Sequence, residues 1–412
     1  MPSRLVFLSI ISIIISVGVY ARPSIAAATT GYDWLQFDGN AQHSGNNTQE
    51  TIINRSNVSG LRQLYRVPLV SGGSPSVADG APAYLSAVST PGGMHNLLFI
   101  TTKDGHILAI DADTGNQIWS QQYGPNGCII NHNNQRHEPC YSTSSPAIDP
   151  NRQYVYSYGL GATDGQIHKY AVGTGQEVVS GGWPETVSIK DWNEKGSSAL
   201  ATATVGGTSY LYAASAGYPG DQGDYQGHVT TINLTTGSQH VFNALCSNQV
   251  DAHLGIGGCT SGGATVTQAA VWGRSGVVYD ANTRRIYFTT GNGNFNASAH
   301  QWGDSVLALN PDGTGQSGSN SGLPLDSYTP SNYSFLQNTD LDLGSTAPAI
   351  LAPVVVNGQT KYLAVQGGKG PATTSLSDPV VLRLIDLSNL SGQGSPGHVG
   401  GELSVTDVPQ GG

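Results

Sequence analysis

Side chains able to accept a proton, bind a cation or stack on a flat ring occur at a few separated positions of this 412-residue chain. Asp340 and Asp342 stand two positions apart, Asn292 lies between two glycines, Trp272 precedes a glycine, and Lys369 follows a pair of them. A carboxylate accepts a proton from an alcohol, oxygen ligands hold a hard cation, and an indole supports a ring by stacking. Such chemistry requires distant parts of the chain to converge on one place.

Each of these side chains also has a purely structural interpretation. Trp272 at a strand end is an aromatic residue that packs between sheets, and Asn292 is a residue type suited to a left-handed turn. Asp340 and Asp342 can cap turns by accepting backbone N–H groups, and Lys369 can be a solvated loop residue. The residue types alone leave both interpretations open.

A repeated phrase indicates the elements that position these residues. Its clearest copy is Gly105-His-Ile-Leu-Ala-Ile-Asp-Ala-Asp-Thr-Gly-Asn-Gln-Ile-Trp119, and weaker copies begin at Gly165, Gly227 and Gly303. In each copy apolar residues alternate onto one face, and a glycine after Asp, Asn or Thr supplies the positive φ that a tight reversal requires. Each copy is therefore predicted to form a β-hairpin.

Short runs of aromatic and β-branched residues complete the pattern, at residues 96–101, 153–158, 208–213, 285–290 and 361–366. Each of the first four runs is followed by a copy of the repeat, and the fifth is followed by a glycine-rich segment. This order predicts an all-β fold, a β-propeller of four-stranded blades, with no helix of useful length outside the N-terminus. Segment 61–69 alternates and is predicted to be the outermost strand of a first blade.

The sequence shows about five to six blades, and segment 400–408 is interpreted as an opening strand with no blade after it. A propeller closes on itself to remove its sheet edges. We therefore expect an incomplete propeller or a fragment of a seven- to eight-bladed ring, with possible truncation at the C-terminus. The alternative is a ring that closes with few blades by using the N-terminal strand.

The N-terminus has the order of a secretory signal. Arg4 is followed by an apolar run and then by the small residues Ser24-Ile-Ala-Ala-Ala28. This run is short for a membrane span. We therefore predict a signal peptide at residues 1–28, a single propeller domain at residues 29–412, a secreted or periplasmic location, and no membrane span after cleavage; an uncleaved anchor is the alternative.

Composition and cysteine spacing agree with export. Cys128 with Cys140, and Cys246 with Cys259, form two local pairs, which predict two disulfides in an oxidising compartment. No Cys-x-x-Cys-His motif for c-type haem is present. The net charge of −10 and the 11% content of charged residues exclude a nucleic-acid-binding protein.

The repeat, with its closing Trp119, resembles that of pyrroloquinoline-quinone (PQQ) binding propellers of the quinoprotein alcohol dehydrogenase-like superfamily. The strongest match is the stretch from Gly263 to Asn310. The resemblance implies that Trp272 is the platform beneath the quinone and that Asn292 ligates calcium through its side-chain oxygen.

The same resemblance assigns further roles. Asp340-Leu-Asp-Leu-Gly344 is similar to the segment in which the family places its catalytic base, which makes Asp340 the first candidate and Asp342 the second. Lys369 falls where a cation contacts the carbonyl oxygens of the quinone. At the family's acidic calcium ligand this chain has Gln222, flanked by Asp221 and Asp224, so a neutral residue weakens the site unless one of these aspartates replaces it.

These assignments imply an exported PQQ-dependent dehydrogenase that oxidises the CH–OH group of an alcohol, a sugar or a polymeric alcohol. It would use PQQ and Ca²⁺ and pass electrons to a separate cytochrome or quinone, because no haem motif is present. The adjacent Cys-Cys pair that covers the quinone in many members is absent. The alternative is a non-catalytic propeller that serves as an extracytoplasmic binding or assembly scaffold, and a lactonase-type hydrolase is a third.

Overall fold

Five four-stranded antiparallel sheets follow one another along the chain. They are seen in a computed structural model that describes residues 32–71, 74–78, 80–103, 105–123, 142–160, 164–190, 193–218, 220–370 and 381–408. Each sheet is a meander whose strands lie in sequence order, with its first strand at one edge and its last at the other. The count agrees with the predicted five to six blades.

A short hairpin, β1 (Val70–Ser71) and β2 (Ser74–Pro75), precedes the sheets. The first sheet contains β3 (Ala83–Thr90), β4 (Gly93–Thr101), β5 (His106–Asp111) and β6 (Gln117–Gln122). The second contains β7 (Ala147–Ile148), β8 (Tyr154–Leu160), β9 (Gly165–Ala171) and β10 (Glu185–Ser188). The pair of β11 (Glu194–Lys195) and β14 (Ala216–Gly217) flanks the third sheet, which contains β12 (Ala201–Val205), β13 (Thr208–Ala214), β15 (His228–Asn233) and β16 (Gln239–Asn243).

After the hairpin of β17 (Thr260–Ser261) and β18 (Ala264–Thr265), the fourth sheet contains β19 (Val278–Asp280), β20 (Arg285–Thr289), β23 (Val306–Leu309) and β24 (Asp326–Tyr328). A hairpin of β21 (Phe295–Asn296) and β22 (Gln301–Trp302) joins its middle strands. A helix, α1 (Tyr333–Thr339), leads to the fifth sheet. That sheet contains β25 (Ala349–Ile350), the inserted hairpin β26 (Val354–Val356) and β27 (Gln359–Lys361), β28 (Leu363–Gln366), β29 (Val381–Asp386) and β30 (Ser404–Asp407).

The repeated turn owes its shape to one aspartate. Asp111 ends β5, and its Oδ1 accepts the N–H groups of Asp113 at 2.9 Å and Thr114 at 2.8 Å. Gly115 then reverses the chain at a φ of 78°. Asn233 accepts the Thr235 N–H in the same way in the third sheet. The Asp/Asn and Gly of the repeat are thus explained by turn hydrogen bonds and positive φ.

Apolar cores lie between successive sheets. Phe99 and Trp119 of the first sheet pack on Val155 and Tyr170 of the second. Equivalent clusters join the second sheet to the third, the third to the fourth, and the fourth to the fifth. Face-to-face packing of consecutive sheets is the arrangement of a propeller.

An N-terminal segment, residues 34–42, crosses the first strands of four sheets, and we call it the strap. Backbone hydrogen bonds join Trp34 to Tyr84 of β3, the Leu35 carbonyl to the Ile148 N–H of β7, and the Ala41 carbonyl to the Tyr279 N–H of β19. The buried Gln36 amide accepts the Thr202 N–H of β12 at 2.6 Å and donates to its carbonyl at 3.1 Å. The strap satisfies edge groups that each sheet leaves unpaired.

Two sequence predictions about elements are wrong. Residues 61–69 form no strand, since Leu61 and Leu64 are exposed and Pro68 has no N–H for a ladder. Residues 404–407 of segment 400–408 form β30, the outer strand of the fifth sheet rather than the opening of another blade. The helix α1 was not predicted, because its seven residues are too short to show a helical period.

Of the two predicted disulfides, the one between Cys246 and Cys259 is confirmed, with their Cα atoms 5.7 Å apart. Cys128, Cys140 and the predicted signal peptide lie outside the described residues. In the part of the chain that the structure describes, no helix is long and apolar enough to span a membrane.

We expect Gln36→Ala to lower the free energy of unfolding by about 1–3 kcal/mol, because it leaves the buried N–H and C=O of Thr202 without partners. The matched control is Gln117→Ala, since Gln117 is exposed in β6. Denaturant titration of both variants measures the difference. Equal stability of the two variants would show that the strap does not hold the sheets.

Candidate functional site

Segments from the third, fourth and fifth sheets enclose a cavity of about 250 Å³. The third sheet contributes Asp221 from the link between β13 and β15, and Trp272 precedes β19 of the fourth. Asp342 precedes β25 of the fifth sheet, and Lys369 follows β28. Four residues singled out from the sequence therefore line one cavity.

Trp272 is half-buried in the cavity wall, where it packs on an apolar cluster of Ala216, Tyr225 and Ala270. Behind it, a side chain at Gly291 would lie 3.1 Å from the indole nitrogen and would collide with the Asp342 carboxylate. The glycine thus allows the indole and the carboxylate to approach the same backbone. The indole supports the cavity as a flat wall against which a ring can stack.

Asn292 connects the fourth sheet to the fifth. Its N–H donates to Asp342 Oδ1 at 2.7 Å, and its carbonyl accepts the Ala269 N–H at 2.6 Å. The residue is 4% exposed, and its side-chain Oδ1 is buried without a hydrogen-bond partner among the described residues. Its φ is not positive, so the left-handed turn interpretation does not apply. A buried oxygen in this state is suited to a cation.

Lys369 links the two predicted bases. Its Nζ lies 2.7 Å from Asp340 Oδ2 and 3.4 Å from Asp342 Oδ2, and its N–H donates to the Asp342 carbonyl. Asp340 ends α1 with a φ of 56° and an exposed side chain, whereas Asp342 is buried. Of the two carboxylates, only that of Asp342 is in the cavity lining that the structure describes.

Burial raises the pKa of Asp342 above its usual range, and the charge of Asp340 adds to this effect. The Asn292 N–H and the Lys369 ammonium oppose the rise by favouring the ionised form. Burial lowers the pKa of Lys369, but the two carboxylates outweigh it, so the net shift is upward. The lysine remains charged, and Asp342 is a stronger base than an exposed aspartate.

Asp304 is a member of this site that the sequence reasoning did not identify. It is 1% exposed, and its Oδ1 accepts the Leu343 N–H at 2.9 Å. Burial raises its pKa to about 8, against the effect of that N–H, and the charge of Asp342 contributes. Asp304 is therefore a weaker acid than an exposed aspartate. In the sequence, the available signal for this residue was the Gly303-Asp304 pair. In the structure, the backbone of Asp304 has a positive φ of 45°.

The other predicted ligands do not all face the cavity. Asp221 lines it, and its Oδ1 accepts the Tyr225 hydroxyl at 2.5 Å. Gln222 is exposed on the adjoining loop. Asp224 is turned the other way, with its oxygens accepting the Gln226 amide at 2.7 Å and the Gly257 N–H at 2.6 Å.

The donor set of the cavity fits a quinone cofactor with a hard cation in part. The Trp272 indole lines the cavity and the Lys369 ammonium lies beside two carboxylates, whereas the buried amide oxygen belongs to Asn292, which is outside the cavity lining. Within the described ranges, no three His, Cys, Asp or Glu side chains are grouped so as to hold a metal. Binding of a metal cation would therefore require Asn292 Oδ1 together with oxygen ligands that do not come from a cluster of three such side chains.

Comparisons with known proteins place the fold. A family model described as the PQQ β-propeller domain of glucose/ethanol/alcohol dehydrogenase matches residues 34–317. No curated protein matches the chain.

Among solved structures, a quinohemoprotein alcohol dehydrogenase from Comamonas testosteroni is similar with a TM-score of 0.58 and 16% identity, over 93% of this chain and 50% of that one. A europium-containing methanol dehydrogenase gives 0.55 and 16%, over 91% and 58%. A quinohemoprotein alcohol dehydrogenase from Pseudomonas putida HK5 gives 0.53 and 14%, over 92% and 48%.

The chain thus spans about half the length of these enzymes. At such identities the similarity shows the fold alone. Because the family model matches well over half of the sequence, the chain belongs to the family of PQQ β-propeller domains of glucose, ethanol and alcohol dehydrogenases.

Proposed function

We propose that this protein is an exported quinoprotein dehydrogenase that oxidises an alcohol, a sugar or a polymeric alcohol, with PQQ and a hard cation, and that it passes electrons to a separate cytochrome or quinone. The observation that carries the proposal is the convergence of Trp272, Asp342 and Lys369 from two sheets on one cavity beside the buried Asn292 oxygen. Family membership supports the choice of cofactor.

PQQ bound with its cation would supply the acceptor for the hydride of the carbinol carbon. Trp272 would hold the ring from one side, with Ala270 and Ala216 beside it. Asn292 Oδ1 is the proposed cation ligand from the fourth sheet, and Asp221 is the carboxylate that the third sheet offers. Calcium is the predicted ion, and the europium in one structural neighbour makes a lanthanide the second ion to test.

We assign proton removal to Asp342. Its carboxylate lines the cavity, and its raised pKa suits it to accept the alcohol proton. The Asn292 N–H fixes Oδ1, while Lys369 stabilises the charge on Oδ2. Asp340 is exposed and holds the other side of the Lys369 ammonium. In this arrangement Asp342 accepts the proton and Asp340 orients Lys369.

We expect the purified full-length protein to bind PQQ in the presence of Ca²⁺ or Eu³⁺, seen as bound-quinone absorbance and quenched tryptophan fluorescence. Trp272→Ala should weaken PQQ binding at least tenfold, because the stacking platform is lost. Asn292→Ala should raise the cation concentration needed for PQQ binding by a similar factor, because the proposed cation ligand is lost. Asn282→Ala, at an exposed turn of the same sheet, is the control. No binding by the wild type at micromolar PQQ would support the scaffold instead.

In dye-linked oxidation of a panel of alcohols, we expect Asp342→Asn to reduce kcat by a factor of about 10²–10⁴, the usual effect of removing a general base. Asp340→Asn should reduce it about tenfold or less, because only the orientation of Lys369 is affected. Circular dichroism confirms that both variants fold. A larger loss in Asp340→Asn would move the base to that residue.

The pH profile tests the role of Lys369. Its ammonium lowers the pKa of Asp342, so Lys369→Met should raise that pKa further. Because the ionised carboxylate is the active form, kcat/KM rises as Asp342 loses its proton, and the acid limb of the profile should move to higher pH. Lys361→Met, which removes a half-exposed lysine paired with Asp386, should leave the limb in place. An unshifted limb in Lys369→Met would exclude the assigned coupling.

A further inference from the structure

A buried ion cluster lies behind the third-sheet wall of the cavity. Lys190 follows β10, is 1% exposed, and its Nζ lies 3.2 Å from Glu194 Oε1 and 3.7 Å from Asp224 Oδ1. It also donates to Gln226 Oε1. None of these four residues has a role in the proposed reaction.

The oxygens around the lysine are engaged on every side. Glu194 Oε1 accepts the Gln226 N–H at 3.0 Å, and Oε2 accepts the Ser188 hydroxyl. Asp224 accepts the Gln226 amide through Oδ1 and the Gly257 N–H through Oδ2. A buried carboxylate pair is stable only when a cation and hydrogen bonds compensate it. Lys190 is the ammonium that contacts both carboxylates.

The cluster is directly connected to the cavity. Glu194 and Lys195 form β11, which pairs with Ala216 and Gly217 of β14, and the last three of these line the cavity. Asp224 and Gln226 end the loop that carries Asp221 to the same wall. Lys190, which follows the last strand of the second sheet, therefore contacts both segments of this cavity wall. It contacts Glu194 of β11 in the first segment and Asp224 and Gln226 in the second.

We infer that Lys190 is a positioning residue: its ammonium acts as an internal cation that neutralises Glu194 and Asp224 and fixes residues 220–226, so that Asp221 faces the cavity. Asp224, predicted from the sequence as a metal ligand, is bound by this lysine instead. The step from a fixed loop to cofactor affinity rests on the proposed function.

The first test is hydrogen exchange in the ligand-free full-length protein. In Lys190→Met the amides of Gln226 and Gly257 should exchange at least tenfold faster, because their acceptors lose the cation that holds them. Lys361→Met, which removes a half-exposed lysine elsewhere, should not change them. Unchanged exchange at both amides would overturn the inference.

The second test is the affinity for PQQ with Ca²⁺, measured by tryptophan fluorescence. A positioning role predicts at least tenfold weaker binding in folded Lys190→Met. Lower thermal stability with unchanged affinity would show a merely structural role and overturn the inference. If wild-type protein binds no PQQ, the proposed function fails, and hydrogen exchange still decides whether Lys190 orders the loop.

Lys190→Met removes the ammonium from the buried Glu194 and the half-buried Asp224 and can prevent folding. The double variant Lys190→Met/Glu194→Gln keeps the net charge of the cluster and removes the anchor. It should fold, show the faster exchange, and bind PQQ at least tenfold more weakly. Wild-type exchange and affinity in this variant would overturn the inference.

Discussion

The hydrogen bond from the Asn292 N–H to Asp342 Oδ1, at 2.7 Å, holds together the parts of the molecule that the site depends on. It has a counterpart in the Leu343 N–H, which donates to Asp304 in the opposite direction between the same two sheets. Neither segment is in a regular strand, so backbone donors here require side-chain acceptors. The two aspartates supply them and thereby connect the fourth sheet to the fifth.

The same two aspartates also differ in how their surroundings change their pKa values. Burial raises the pKa of both Asp304 and Asp342; the charge of Asp342 adds to the rise at Asp304, whereas the Lys369 ammonium opposes the rise at Asp342. Asp304 is therefore a weaker acid than an exposed aspartate, whereas the Lys369 ammonium favours the ionised form of Asp342. In the proposed reaction, this difference between two neighbouring carboxyls would give proton transfer to Asp342 and a structural role to Asp304.

The parts of the fold that follow from local chemistry could be read from the sequence. Turn aspartates such as Asp111 and the alternating strands depend on repeats and spacing, whereas the placement of Trp272 and Lys369 in one site was implied by the family resemblance. The alternation at 61–69 gave a wrong strand, because a pattern cannot show whether a neighbouring edge is free to pair.

Contacts between distant segments carry no local signal. Asp304 is buried because Leu343 lies against it, and Lys190 is buried by a loop more than thirty positions later. The direction of Asp224 likewise follows from Gly257, which no spacing rule connects to it. The residues that line the cavity were implied by the family resemblance, whereas the charges around them depend on contacts between distant segments.

The strap has a consequence for the order of folding. Gln42 donates to Asp280 at 3.0 Å across 238 positions, so the N-terminal segment leaves the ribosome long before its last partner exists. Contacts of such sequence separation form slowly because the intervening chain must first be ordered. The first three sheets must therefore assemble while the C-terminal end of the strap has no partner. The contacts of the strap are complete only when it docks on β19. The strap can therefore make all of its contacts only after most of the chain has been synthesised.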